Sequence, residues 1–109
     1  MRVIFTRAVL KYLENLVIVL YQNEYFGFLD SSTRYVEELM HSIKATLPMC
    51  VHKPAPAYFD RYGENMEYAV FKKSKHTSWY AFFRVYWKNG EEIFQVRYIA
   101  NNHTVAQYL

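Results

Sequence analysis

The sequence predicts an α+β fold with the element order β-α-α-β-β-β. Three observations carry that reading. Two stretches in the first half repeat apolar residues at helical spacing, at Leu10, Leu13, Val17 and Leu20 and at Val36, Leu39/Met40, Ile43 and Leu47. The second half turns to aromatic and β-branched residues in strand-length runs. Between them, residues 48–65 hold all three prolines, at 48, 54 and 56, and Gly63.

The elements follow in order. Residues 2–6, Arg-Val-Ile-Phe-Thr, alternate as a short strand with Val3 and Phe5 on one face. Thr6 is placed to cap a long helix, and Gly27 to end that helical run. Asp30, Ser31 and Ser32 offer caps for a second helix, and Pro48 stops it because proline lacks the N–H that a helix needs. Two amphipathic helices on a short link predict an antiparallel hairpin. The 48–65 segment is expected to be a loop whose Tyr58, Phe59 and Tyr62 tuck back onto the body. Met66–Lys73, Ser78–Lys88 and Glu91–Ala100 are three strands of an antiparallel meander that completes one sheet. Asn101–Leu109 is an irregular tail or a last helical turn.

A chain of 109 residues fits one domain and one core, here residues 1–109. With 52% hydrophobic and 19% aromatic residues it is not a disordered chain. No apolar run reaches the ~18 residues that a membrane span needs, since Lys11, Glu14 and Asn15 break the longest candidate. The N-terminus lacks the pattern of a signal peptide, so the expectation is a cytoplasmic protein with no membrane partner. Cys50 is the single cysteine, which excludes an internal disulfide and a zinc site built on cysteines alone. Net charge is +3. Residues 1–60 hold six Lys/Arg and six Asp/Glu, whereas residues 61–109 hold seven and four, so the excess lies in the strand-rich half. Such a bias fits an anionic partner or ordinary surface charge.

Asn89-Gly90 between two strand patterns is a two-residue hairpin signal. It pairs Lys88 with Glu91, Tyr86 with Ile93, Arg84 with Gln95, Phe83 with Val96 and Phe82 with Arg97. Trp79, Ala81, Phe83, Val85 and Trp87 then share an apolar face with Phe94, Val96 and Tyr98, the face the helices must cover. The opposite face carries Tyr80, Phe82, Arg84, Tyr86, Ile93, Gln95 and Arg97. Arginines among aromatics are poor core residues, because a buried unpaired charge is costly. They suit RNA, whose phosphates take guanidinium groups and whose bases stack on rings. A solvated sheet face with each arginine lying over a ring is the alternative.

Several of these residues carry a family likeness. Phe5-Thr6-Arg7-Ala8, Phe83-Arg84-Val85-Tyr86, Phe94-Gln95-Val96-Arg97-Tyr98-Ile99 and Asn102-His103-Thr104 are similar to the opening turn, two sheet strands and polar tail of the RelE/ParE toxins of type II toxin–antitoxin systems. The resemblance covers almost the whole chain through short motifs. It implies a toxin held inactive by a cognate antitoxin. RelE-type members cut translated messenger RNA on the ribosome without a metal or other cofactor, by positioned acids, bases and cations. ParE-type members bind DNA gyrase and cut no RNA. An inactive antitoxin-binding or regulatory member is a third reading, and homo-oligomerisation is left open.

By the same resemblance Arg84 is the phosphate-contacting arginine, His103 and Tyr108 are acid/base or stacking groups, and Lys72 and Lys73 are strand-borne basic residues. Lys75, with Phe82, Tyr86 and Arg97, completes the expected RNA-binding set. The chain departs from the RelE pattern in its arginine-poor Asn101-Asn102-His103 segment and in the long connection from Lys73 to Trp79. Each residue also has a plain reading: His103 as a solvated imidazole, Tyr108 as a tail anchor, the three lysines as a solvated strand end. His41, His52 and His76 read as surface or loop residues, and nothing in the spacing of Glu64 and Glu67 singles them out.

Overall fold

A computed structural model describes residues 1–23 and 29–109. It is an α+β structure with two long helices on one face of a five-stranded mixed sheet. Strand β1 (Arg2–Phe5) leads into α1 (Arg7–Gln22), followed by α2 (Leu29–Thr46), the two-residue strand β2 (Lys53–Pro54), β3 (Glu67–Lys72), β4 (Ser78–Lys88), β5 (Glu91–Asn101) and the single turn α3 (Asn102–Val105). Three 3-10 turns lie at Leu47–Met49, Ala57–Tyr62 and Ala106–Tyr108.

Local chemistry explains the boundaries. Thr6 Oγ1 accepts a hydrogen bond from the Val9 amide at 3.3 Å, which caps α1 as its sequence predicts. Asp30, Ser31 and Ser32 lie inside the first turn of α2 and not before it. Asp30 there faces the positive end of the helix dipole. The helix ends at Thr46, and Pro48 sits in the 3-10 turn that follows. The stop expected at Gly27 lies outside the described residues. On α1 the buried stripe is Val9, Leu13 and Leu16, while Leu10 is exposed, so the helix is turned about one residue from the expected face.

The strand order is β1-β5-β4-β3-β2. The three-strand meander is present, but it does not complete the sheet alone. Strand β1 pairs parallel with β5, and β2, within the expected loop, adds a fifth strand at the far edge. At the hairpin Asn89 and Gly90 both take positive φ, 52° and 77°, the signature of a type I′ turn. The predicted pairing holds from Lys88↔Glu91 to Phe83↔Val96. There a bulge intervenes: Phe82 pairs with Tyr98, which leaves Arg97 as the extra residue on β5.

The main core lies between helices and sheet, around Leu13, Leu39, Ile43, Ala81, Phe83 and Val96. The expected helix-covered face is corrected at three positions. Tyr98 moves to the opposite face, because one inserted residue reverses the alternation. Val85 and Trp87 lie toward the hairpin turn, outside this core, and Trp87 is 69% exposed.

The opposite face is not open along its length. Phe59, Met66, Phe82, Ala100 and Val105 form a second, smaller core, banked by Tyr58, Tyr62, Tyr68, Tyr80 and Tyr98. The turn Ala57–Tyr62 supplies its lid, with Phe59 fully buried and stacked on Phe82 at 4.3 Å. The tucking-back of the loop aromatics is therefore structural.

Candidate nucleic-acid interface

Beyond the second core, toward the hairpin, the opposite sheet face opens. Arg84 stands there on β4, exposed, with Gln95 as its cross-strand partner. Among the described residues the Arg84 side chain has no hydrogen-bond or ion-pair partner. Tyr86 follows on the same face at 38% exposure. Ile93, expected on this open face, is buried between its register partners Arg2 and Tyr86.

Next along the face is Arg97, held from two sides. Its Nη1 donates to Gln95 Oε1 at 3.0 Å and its Nε to the Tyr62 carbonyl at 3.2 Å. Gly63 makes room for this arrangement: with φ at 154°, a Cβ there would come within 2.8 Å of Arg97 Nε. The Tyr62 and Tyr98 rings stack at 3.7 Å and 5°. Burial, then hydrogen bonding to Tyr62, pushes the Tyr98 hydroxyl far above its ordinary range. Tyr98 is thus held as a neutral phenol that gives up its proton reluctantly.

A second ring stack lies on the same side of the sheet. Tyr58 is sandwiched between Tyr108, at 3.6 Å and 4°, and the Arg61 guanidinium, 3.9 Å from its ring centre. The Arg61 Nε also donates to the Tyr58 carbonyl at 2.9 Å. Hydrogen bonding to Tyr58 pushes the Tyr108 hydroxyl upward. Among the described residues no carboxylate lies within 4 Å of Arg61, Arg84 or Arg97. Three guanidinium groups thus stand on this side of the sheet without a carboxylate partner among the described residues, Arg61 on the Tyr58 ring and Arg97 against the Tyr62 carbonyl.

The remaining expected site residues are elsewhere or otherwise engaged. Phe82 is fully buried under Phe59 and cannot stack on a base, which corrects its place in the RNA-binding set. Lys72 is exposed on β3 opposite Ser78, at the far end of β4 from Arg84. Arg84 is six residue steps along β4 from Ser78, or roughly 20 Å at the usual rise. Lys73 turns to the helix side, 3.8 Å from Glu38 and over the Tyr35 ring. Lys75 is exposed in the loop before β4.

His103 is at that same distant end. Its Nε2 lies 3.5 Å from Thr77 Oγ1, and neighbouring Asn102 accepts from the Ser78 amide and donates to the His76 carbonyl. Arg84 and His103 therefore do not share one centre. The histidine and lysine ends of the expected site come together around Ser74–Ser78, and the arginine end around Gln95. Sequence reasoning placed Tyr58 and Tyr62 on the body but gave neither they nor Arg61 a part in the site; their spacing in Tyr58-Phe59-Asp60-Arg61-Tyr62 was the available signal.

No helix among the described residues is long and apolar enough to cross a membrane. No protein family, curated protein or solved structure matches the chain.

Proposed function

We propose that this chain is a toxin domain of RelE/ParE type whose working surface is the arginine–tyrosine face, and that this face takes single-stranded RNA. The order of one strand, two helices and a meander supports the family reading. The unpaired Arg84, beside Gln95, Arg97 and the Tyr62/Tyr98 stack, carries the RNA reading. A guanidinium without a partner anion is free to bind phosphate bidentately, and the exposed Tyr86 ring on the same face offers a stacking surface worth ~1–3 kcal/mol per base. In the endoribonuclease form of this proposal the substrate is translated mRNA. Arg84 would stabilise the growing phosphate charge, while the upward-shifted Tyr98 and Tyr108 phenols are poorly matched to proton transfer and His103 lies at the other end of the sheet. The cognate antitoxin is the second partner.

The dispersal of Arg84, His103 and Tyr108 favours a second reading, a ParE-like toxin that binds gyrase and cuts no RNA. One experiment separates the two. Purified protein is titrated against a fluorescent single-stranded RNA at several salt concentrations, and the same samples are analysed for cleavage products. Arg84→Ala is expected to weaken binding about ten-fold or more and to flatten the salt dependence by about one phosphate contact. Binding that ignores both salt and Arg84→Ala would remove RNA as the ligand and leave the protein-binding reading.

A further inference from the structure

The two strands of the long hairpin are not equally covered. On the β5 side, Arg2 to Phe5 of β1 pair with Ile93 to Val96. On the β4 side, β3 begins only at Glu67, opposite Phe83, and among the described residues no strand lies beside residues 84–88 on that edge. All of residues 84–88 are exposed. The turn fixes which of their backbone groups point outward. Lys88↔Glu91 closes the two-residue turn as a hydrogen-bonded pair, and such pairs alternate with open ones along an antiparallel ladder. Lys88, Tyr86 and Arg84 therefore direct their N–H and C=O groups to β5, while those of Val85 and Trp87 point away from it. Among the described residues no backbone hydrogen bond outside the ladders reaches either residue. Open donors and acceptors thus line one sheet edge, the arrangement that accepts an added strand.

The side chains along this edge narrow what strand would fit. One face is apolar, with Val85 and the largely exposed Trp87. The other carries Arg84, Tyr86 and Lys88. Neither Arg84 nor Lys88 has an ion pair among the described residues, and Glu91, across from Lys88, has its carboxylate 3.5 Å from Arg2. Side chains directly opposite each other on neighbouring strands are close enough for unlike charges to attract and like charges to repel. A second copy of this chain is a poor occupant, because the two-fold antiparallel register that matches Val85 with Trp87 also sets Arg84 against Lys88. An extended segment that alternates acidic and apolar residues meets both faces, with carboxylates beside Arg84 and Lys88 and apolar side chains against Val85 and Trp87.

We propose that residues 84–88 are the docking edge for an extended peptide segment of alternating acidic and apolar residues, which joins the sheet as a strand beside β4. The inference does not rest on RNA binding and is tested without RNA. The probe is a capped peptide of about seven residues alternating valine and glutamate, long enough to span the edge. Its counterpart carries lysine in place of glutamate. Backbone amide exchange of the whole chain is followed residue by residue in dilute solution. In the free chain the Val85 and Trp87 amides should exchange quickly and the Arg84 and Tyr86 amides slowly, because only the latter are bonded in the ladder. The glutamate peptide should slow Val85 and Trp87 about ten-fold or more, saturably below about 1 mM, and the lysine peptide should not. Val85→Pro removes an outward N–H and no ladder bond, which an edge strand tolerates, and should weaken peptide binding about ten-fold or more. Should Val85→Pro not fold, the comparison of the two peptides on the parent chain decides alone. The proposal is overturned by any of five results. The Val85 and Trp87 amides are already protected in the dilute monomer; the glutamate peptide protects neither; the lysine peptide protects both equally well; protection grows with protein concentration in the absence of peptide, which makes a second copy the occupant; or Val85→Pro binds the peptide as before while its circular dichroism stays native.

Discussion

Phe82 and Phe83 are neighbours on β4 that point to opposite sides of the sheet, and both are fully buried. Alternation alone places one of them under the helices and leaves the other outside. What closes over Phe82 is Phe59, from a segment with no strand or helix periodicity to announce it. The consequence is measurable. Phe82→Ala and Phe83→Ala should each cost ~3–5 kcal/mol, the usual loss for a phenylalanine removed from a packed site. A chemical-denaturation midpoint that moves for Phe83→Ala and stays for Phe82→Ala would mean that the second core is not formed. Tyr98, beside Phe82, gives a second residue-level test. Its proton is held above the ordinary value of 10.0, so the unfolded chain releases it first. The stability contributed by the neutral phenol is complete below about pH 10 and falls as pH rises through the folded value. Unfolding followed between pH 9 and 12 should show a steeper alkaline loss for the parent than for Tyr98→Phe. Equal slopes would show that Tyr98 titrates as a solvated phenol.

At the scale of elements, the hairpin was the most legible part, and for a physical reason. Asn89-Gly90 demands positive φ at both positions, and that fixes register locally, without help from the rest of the chain. The pairing read outward from the turn is correct for six residue pairs and fails at Arg97. A bulge is set by tertiary demand: Arg97 reaches across to the Tyr62 carbonyl and Gly63 yields it space, two contacts more than thirty residues away in sequence. The cost of missing it was Tyr98, assigned to the wrong face. Strand β2 was invisible for a similar reason, since Lys53–Pro54 has no alternation to read and exists only through its partners Tyr68 and Glu67. Gly63→Ala tests this coupling. It should release Arg97, lower thermal stability and weaken RNA binding together; in an Arg97→Ala background the binding loss should vanish and the stability loss should shrink to the part owed to the positive φ and the Met66 contact. Losses that persist unchanged without Arg97 would show that backbone strain at Gly63, not the arginine, is responsible.

At the scale of the whole molecule, the candidate site was legible as a list of residues but not as a place. Arg84 and Tyr86 stand exposed where alternation puts them, because both follow from the hairpin. His103 and the lysines belong to the opposite end of the sheet, a separation that depends on strand length and on where β5 ends, not on residue type. The helices leave a further surface. A groove of about 740 Å³ runs between α1 and α2, with Leu10, Leu13, Val17, Val36 and Met40 inside and Lys11, Glu14 and Glu37 at its rim. Leu10, Ile18 and Val19 on α1 are each more than 40% exposed, which is a sticky surface for an isolated chain. On the toxin reading a disordered antitoxin segment folds over this domain and covers part of that surface, with an apolar stripe meeting the groove and charges of both signs meeting the rim. Co-expression with the product of the adjacent gene should therefore give a stable complex on size exclusion, raise the soluble yield and relieve any growth inhibition caused by the chain alone. Leu10→Lys with Val17→Lys should break the complex while the domain alone remains folded, since both positions are only partly buried or exposed. A neighbour that neither binds nor relieves toxicity would remove the toxin–antitoxin reading, and the arginine–tyrosine face would then stand as a nucleic-acid surface of a different kind of protein.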